Sequence, residues 1–250
     1  MTKEDYMSVA LEEAKKGMGF TNPNPMVGAV IVKDGKIISK DHHRRYGEFH
    51  AERNAILKCT EDMAGAEIYV TLEPCCHYGK TPPCTQAIID SGIKKVYMGS
   101  DDPNPLVAGK GAEILRSHGI EVETGILKED CDKLNRVFFH YITHKTPYVV
   151  MKYAMTADGK IASVSGKSKW ISNEQSRHDV QKSRLRYSGI MVGINTVLID
   201  NPKLTIHKIN CKKSENPTRI IVDSSARIPL DSKVLNDDAK TIVIVSSKAN

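Results

Sequence analysis

No stretch of the 250-residue sequence approaches the eighteen or so consecutive apolar residues that a membrane-spanning helix requires. The opening, MTKEDYMSVALEEAKKG, is an amphipathic charged segment and lacks the basic-then-apolar order of a secretion signal. Together these absences lead us to expect a cytoplasmic protein with no membrane contact. Cysteine is scarce, at six in the whole chain, which is too few and too scattered for a secreted disulfide scaffold. There is no internal repeat, no low-complexity tract and no G-x-G-x-x-G following a strand, so the glycine pattern announces no dinucleotide fold. A large charge excess is missing too: 36 Lys+Arg stand against 30 Asp+Glu, and the one compact basic run is HHRRYG at 42–47. That balance suits a phosphorylated small molecule as well as it suits a polyanion.

What is present is a chain with 40% hydrophobic and 26% charged residues, enough to build one large or two medium cores. Met7, Ala10, Leu11 and Ala14 recur at helical spacing over 4–16, with Gly17 as an expected C-terminal stop. MVGAVIVKDGKIIS pairs two apolar runs about Asp34-Gly35, a hairpin signal. HAERNAILK (50–58) returns to helical spacing and EIYVTL (67–72) reads as a buried strand. Thr81-Pro82-Pro83 starts a helix that ends at Gly92, and KVYMG and IEVETG are strands flanking the helical GAEILRSHG. This alternation predicts an α/β domain over 1–145. A second α/β unit, 146–250, has expected strands at 148–155, 190–194, 219–223 and 241–245 and a helix over 173–188.

The densest chemistry lies in LEPCCHYGKTPPC (72–84), read together with HAE at 50–52. Hydrolytic deamination of an aminopyrimidine needs an activated water and a proton shuttle. Zinc with three protein ligands and an open fourth position provides the first, and a neighbouring carboxyl the second. H-x-E followed by P-C and a further cysteine is the zinc-deaminase pattern, with His50, Cys75 and Cys84 as ligands and Glu52 as general acid and base. Cys84 falls in the first turn of a helix and Cys75 just before it, where free N–H groups favour thiolate. One constraint follows: residues two apart in a regular helix point about 200° away from each other, so His50 and Glu52 must flank a helix start. The competing reading is a structural zinc knuckle in an interaction protein, with Cys76 or His77 as fourth ligand. Cys59, Cys131 and Cys211 have no partner at metal-binding spacing and read as packing or surface residues.

Taken together, TNPNPMVGAV, HAERNA, TLEPCCHYGKTPPC and DDPNPLVAGKG resemble the deaminase domain of the bifunctional riboflavin-biosynthesis deaminase/reductase family. The eight residues between Cys75 and Cys84 match that family, whereas most cytidine, guanine and tRNA adenosine deaminases carry P-C-x-x-C. The resemblance implies a cytidine-deaminase-like α/β/α sandwich that removes ammonia from a diaminopyrimidinone bearing a ribosylamino 5′-phosphate. It places substrate contacts on Asn24, His43, Lys80 and Asn104, although His42 competes with His43. PYVVMKYAMTADGKIA, SKWIS and GIMVGINTVLIDNPKLT are similar to the family's reductase half, a dihydrofolate-reductase-like domain that uses NADPH to open the ribosyl ring. Carried over, Ala154, Trp170, Thr196, Asp200 and Ser224 face NADPH, and Ser168, Arg184, Leu204 and His207 face the substrate. His207 replaces an arginine usual in the family. Family members run on through an acidic residue and a glycine-rich loop absent from this sequence, so the reductase half is expected to be partial. A homo-oligomer is the expected assembly, and a nucleic-acid or free-base deaminase is the alternative within enzymes.

Overall fold

The computed structural model describes residues 1–105, 107–207, 209 and 215–249, which leaves Cys211 outside the described residues. The chain divides into two compact units, Met1–Val149 and Val150–Asn250. No described helix is long and apolar enough to cross a membrane.

In the first unit, α1 (Lys3–Lys15) is initiated by a capping box. The Thr2 hydroxyl accepts from Asp5 N–H at 3.2 Å, and the Asp5 carboxylate accepts from Thr2 N–H at 2.7 Å. Its periodic residues Met7, Ala10, Leu11 and Ala14 are all buried. The expectation for Gly17 needs correction. The helix ends in right-handed backbone at Lys16, and a Cβ on Gly17 would lie 2.6 Å from the His43 carbonyl oxygen. Glycine is therefore required there for close approach of two chain segments, not for a left-handed stop.

Strands β1 (Gly28–Lys33) and β2 (Lys36–His42) form the hairpin, with Asp34 (φ 49°) and Gly35 (φ 75°) both left-handed as a tight primed turn demands. After α2 (Ala51–Lys58), β3 (Glu67–Leu72) pairs antiparallel with β1. Helix α3 (Cys84–Asp90), β4 (Lys95–Ser100), α4 (Lys110–Ser117) and β5 (Glu121–Thr124) follow, and the sheet order is β2-β1-β3-β4-β5 with β3, β4 and β5 parallel. One face buries Ala29, Ile31, Ile68, Val70, Val96 and Met98 against Ala51, Ala55, Ile88 and Leu115 of α2, α3 and α4. The other packs Val30, Val32, Tyr69 and Tyr97 on α1 and on Cys131 and Leu134 of α5 (Lys128–Leu134). This is the expected α/β/α sandwich. Two short helices were not anticipated, α5 and α6 (Arg136–His144). They meet at buried Asn135, whose side chain donates to Met26 O and accepts from Met26 N, both at 2.8 Å.

The second unit holds α7 (Glu174–Arg186), β6 (Gly189–Gly193), α8 (Ile194–Asp200), β7 (Thr218–Val222) and β8 (Thr241–Ile244). The three strands form a parallel sheet in order β6-β7-β8. Ile194 and Val197 of α8 pack with Leu204, Ile221 and Val234 on one face. The expected strand at 148–155 is not formed: the segment is irregular, and Val149, Met151, Tyr153 and Met155 are exposed. Its apolar run has no ladder partner, and backbone without a partner strand stays hydrated.

Among the glycines of the first unit, the one that leaves least room for a side chain is Gly28, where the start of β1 meets α1. A Cβ on Gly28 would stand 2.0 Å from the Ala10 carbonyl oxygen and 2.7 Å from Ala14 N. Gly28→Ala should therefore cost about 1–3 kcal/mol or more in denaturant unfolding through overpacking. Gly79→Ala, with nothing within 4 Å of the new Cβ, should leave the midpoint unchanged.

Candidate active site

His50 is the N-cap residue of α2, with extended backbone (φ −74°, ψ 168°), while Glu52 lies inside the first turn. That break in helical regularity lets two residues of spacing two reach one point. Cys84 opens α3, and its backbone N–H donates to Cys75 Sγ at 3.4 Å, which folds the 75–84 loop back on itself. His50 Nδ1 stands 3.4 Å from each of the two sulfurs. The three ligand-type atoms of His50, Cys75 and Cys84 all lie within 4.8 Å of one another, and they are the converging group among the described residues. Cys76 and His77 lie outside that group.

The electrostatics follow from this crowding. The hydrogen bond from the Cys84 thiol, helped by the His50 ring, overcomes burial and holds the Cys75 thiol down at about 4. Cys84, beside Cys75 and buried, is pushed up. His50 is raised by its bond to Cys75. Glu52 is 3% exposed, and burial lifts its carboxyl to about 7. Its Oε2 is buried without a partner. One imidazole and two thiols converging without a fourth ligand, beside a carboxyl oxygen with nothing to bind, is a donor set that fits zinc with an open position. It does not fit a closed structural knuckle.

A cavity of about 300 Å³ opens onto this group, and its wall includes His50, Glu52 and Cys75 together with Asn24, His43, Lys80 and Asn104. The four residues carried over from the resemblance thus share one pocket with the metal-type cluster. Of the two competing histidines, His43 faces the cavity. Its Nδ1 is 3.0 Å from Phe49 O and its Nε2 3.1 Å from Asn24 Nδ2. A carbonyl can only accept, so Nδ1 carries the proton, and burial keeps the ring's pKa below its usual value. Nε2 is then the acceptor for Asn24. His42 sits near Glu13 and Asp41 instead. The Lys80 ammonium lies 4.0 Å from the Tyr46 ring centroid at the pocket.

Sequence reasoning missed several wall residues: Tyr46, Glu48, Glu73, Asp102 and Phe138. Asp102 had a readable signal, because it precedes Asn104-Pro105 as a turn-forming aspartate, and its Oδ1 accepts from Asn104 N–H at 2.9 Å. Burial raises its carboxyl to about 6. Phe138 had none, since it rides on the unanticipated α6.

In the second unit, hydrogen bonds between α7 and residues 205–207 bring Arg184 and His207 into one neighbourhood. Thr196 and Asp200 are exposed on α8, and Ser224 is exposed just after β7. The Arg184 guanidinium is largely buried, lowered by desolvation, and donates to Thr205 O at 2.6 Å. His207 N–H donates to Gln181 Oε1 at 3.1 Å. The Leu204 side chain is in the core. Trp170 is exposed, with the Arg177 guanidinium 4.4 Å from its ring centroid. Ala154 and Ser168 lie in irregular segments, half-buried.

Residues 1–100 match the cytidine and deoxycytidylate deaminase zinc-binding region, and residues 147–250 match the RibD C-terminal domain. The riboflavin biosynthesis protein RibD of Actinobacillus pleuropneumoniae is 59% identical over 94% of this chain and 62% of its own length. That of Aquifex aeolicus is 47% identical over 99% of the chain and 69% of its own. A crystal structure of a diaminohydroxyphosphoribosylaminopyrimidine deaminase/5-amino-6-(5-phosphoribosylamino)uracil reductase from Thermotoga maritima superposes with a TM-score of 0.92 at 48% identity, covering 99% of this chain and 71% of that one. The chain thus spans roughly two thirds of the length of these relatives, 62% and 69% in the first two. With both segments matched in order and the His/Cys/Cys cluster in place, the chain belongs to the riboflavin-biosynthesis deaminase/reductase family, in which a zinc-type pyrimidine deaminase domain precedes a reductase domain.

Proposed function

We propose that the first unit catalyses hydrolytic deamination of the diaminopyrimidinone ribosylamino 5′-phosphate, with His50, Cys75 and Cys84 holding zinc and Glu52 as general acid and base. The observation that carries this reading is the buried, unpartnered Glu52 oxygen beside a three-ligand cluster that lines a cavity. Zinc in that cluster supplies Lewis-acid activation of water near neutral pH. Glu52 takes a proton from the attacking water and delivers one to the departing amine, so that water and a ring C–NH₂ become a ring C=O and ammonia. A carboxyl at about 7 both accepts and donates at neutral pH without a large penalty either way.

The remaining wall residues bind and orient. Because Asn24 Nδ2 spends one hydrogen on His43 Nε2, its amide is fixed, leaving its oxygen and second hydrogen for the ring edge. Asn104 offers a second amide, and Lys80 a positive charge for the phosphate. Glu48 and Asp102 on the same wall give the pocket mixed charge, unlike the continuous basic groove a nucleic-acid strand would require. For the second unit we propose the NADPH-dependent reductase role of its family, with Ala154, Trp170, Thr196, Asp200 and Ser224 toward the cofactor and Ser168, Arg184, Leu204 and His207 toward the substrate. Support for that assignment comes from family membership. A cytoplasmic homo-oligomer completes the proposal.

Two measurements test the deaminase reading. Glu52→Gln should retain one zinc per chain by elemental analysis and lose ammonia release by about 10²–10⁴-fold. Unchanged turnover would refute the proton-shuttle role. Stripping the metal with a chelator should lower the unfolding temperature, and zinc should restore it, because ligand binding to the native state adds directly to its stability. Cys84→Ser should abolish that response, and Cys76→Ser should leave it intact. Equal loss in both would favour a four-ligand structural site.

A further inference from the structure

Glu73 ends the β3 ladder two residues before Cys75, and at 4% exposure it is a buried carboxylate. Its own N–H continues the sheet by donating to Ser100 O at 2.9 Å. The carboxylate is satisfied by backbone of a distant segment. Oε2 accepts from Gly109 N–H at 3.0 Å and from Asp102 N–H at 3.3 Å, and Oε1 accepts from Ala112 N–H at 3.3 Å. These donors include the free amides at the start of α4, where a negative charge is stabilised. The N-cap position itself is Gly109, in left-handed backbone with no side chain to give. Helices ordinarily take a local Ser, Thr, Asp or Asn for this purpose. Here the cap arrives from 36 residues upstream, on the segment that leads from β3 to Cys75.

The contact is also close along the backbone. A Cβ on Gly111 would stand 2.3 Å from Pro74 O and 3.1 Å from Glu73 Oε1, so the helix start lies directly on the residues leading into Cys75. On the other side, Asp102 Oδ1 accepts from Asn104 N–H. One carboxylate therefore joins the strand end that presents Cys75 to the turn that presents Asn104, both on the wall of the same cavity.

We propose that Glu73 is a positioning residue that sets the placement of Asn104 relative to the Cys75 end of the site, and so governs affinity for the pyrimidine edge and not the chemical step. This rests on the reading of Asn104 as a substrate contact. Glu73→Gln keeps size and one acceptor oxygen but turns an NH₂ toward a backbone N–H. It should raise KM about ten-fold, with kcat within two-fold and zinc content unchanged. Asn104→Ala should raise KM on its own, and adding Glu73→Gln to it should cost little more, because the two substitutions remove one shared effect. Full additivity of the pair, or a fall of kcat together with zinc loss, would overturn the inference. Asp102→Ala cuts the same relay at its next link. It should reproduce the KM effect, and it serves if the Glu73 variant fails to fold.

Amide hydrogen exchange at Asp102, Gly109 and Ala112 reads the clamp without any substrate. Faster exchange in Glu73→Gln is expected, and unchanged exchange overturns the proposal. Absence of turnover in the unsubstituted chain would count against the assigned substrate alone, since the exchange comparison still decides whether Glu73 holds the segment.

Discussion

Everything at the site depends on one geometric requirement: His50 and Glu52, two residues apart, must reach the same small volume. A continuous helix forbids this and a helix start permits it, because the N-cap residue keeps extended backbone while the next residues turn. Once α2 begins at Ala51, the rest is constrained. Cys84 must open α3 toward the same point, Cys75 must sit at the end of β3, and β3 must lie inside the sheet between β1 and β4. Two helix N-termini then face a buried carboxyl and two thiols, and their dipoles favour the negative charge that a cation would share. The site lies beyond the carboxyl end of parallel strands, where α/β sheets generally leave room for ligands.

Such a cluster is expensive to bury, so the segments around it are held by side chains whose bonds go to backbone. Asn135 clasps both polar groups of Met26, next to the Asn24 segment. Asn54 donates to His42 O at 2.9 Å and Phe49 O at 3.1 Å, bracketing the stretch that contains His43. Glu73 secures Asp102, Gly109 and Ala112. Each replaces solvent with fixed partners for groups that would otherwise be buried unpaired, which costs more than an ordinary hydrogen bond gains. Tight backbone approaches at Gly17, Gly28 and Gly111 play the same part where no side chain fits. The cavity is preorganised by elements far apart in sequence.

That distribution explains what could be read from the chain. The periodicity of Met7, Ala10, Leu11 and Ala14, the Asp34-Gly35 turn and the alternation of strands and helices are local signals, and the structure follows them. The His50, Glu52, Cys75 and Cys84 set was readable because metal chemistry imposes residue types at short spacing, and the three ligand-type residues do converge. Gly17 misled, because a glycine demanded by a contact with His43 looks the same in sequence as one demanded by a helix end. Helix α6 escaped although its sequence is amphipathic, and none of its residues is fully buried. Phe138 and the clamps by Asn135 and Glu73 escaped because they depend on pairs separated by tens of residues, for which a single sequence carries no local signature.

The second unit shows the opposite limit. Residues 148–155 have the apolar, β-branched character of a strand, yet they are irregular and exposed, whereas the runs behind β6, β7 and β8 did form strands. The difference is pairing. A parallel sheet is stable with both faces covered, and here α8 covers one face while Met191, Val222, Ile242 and Ile244 on the other remain exposed. The pattern in 148–155 specifies a strand only in the presence of a neighbour that satisfies its backbone and covers its side chains. Hydrophobic periodicity states what a segment can become, and its realisation depends on the partner.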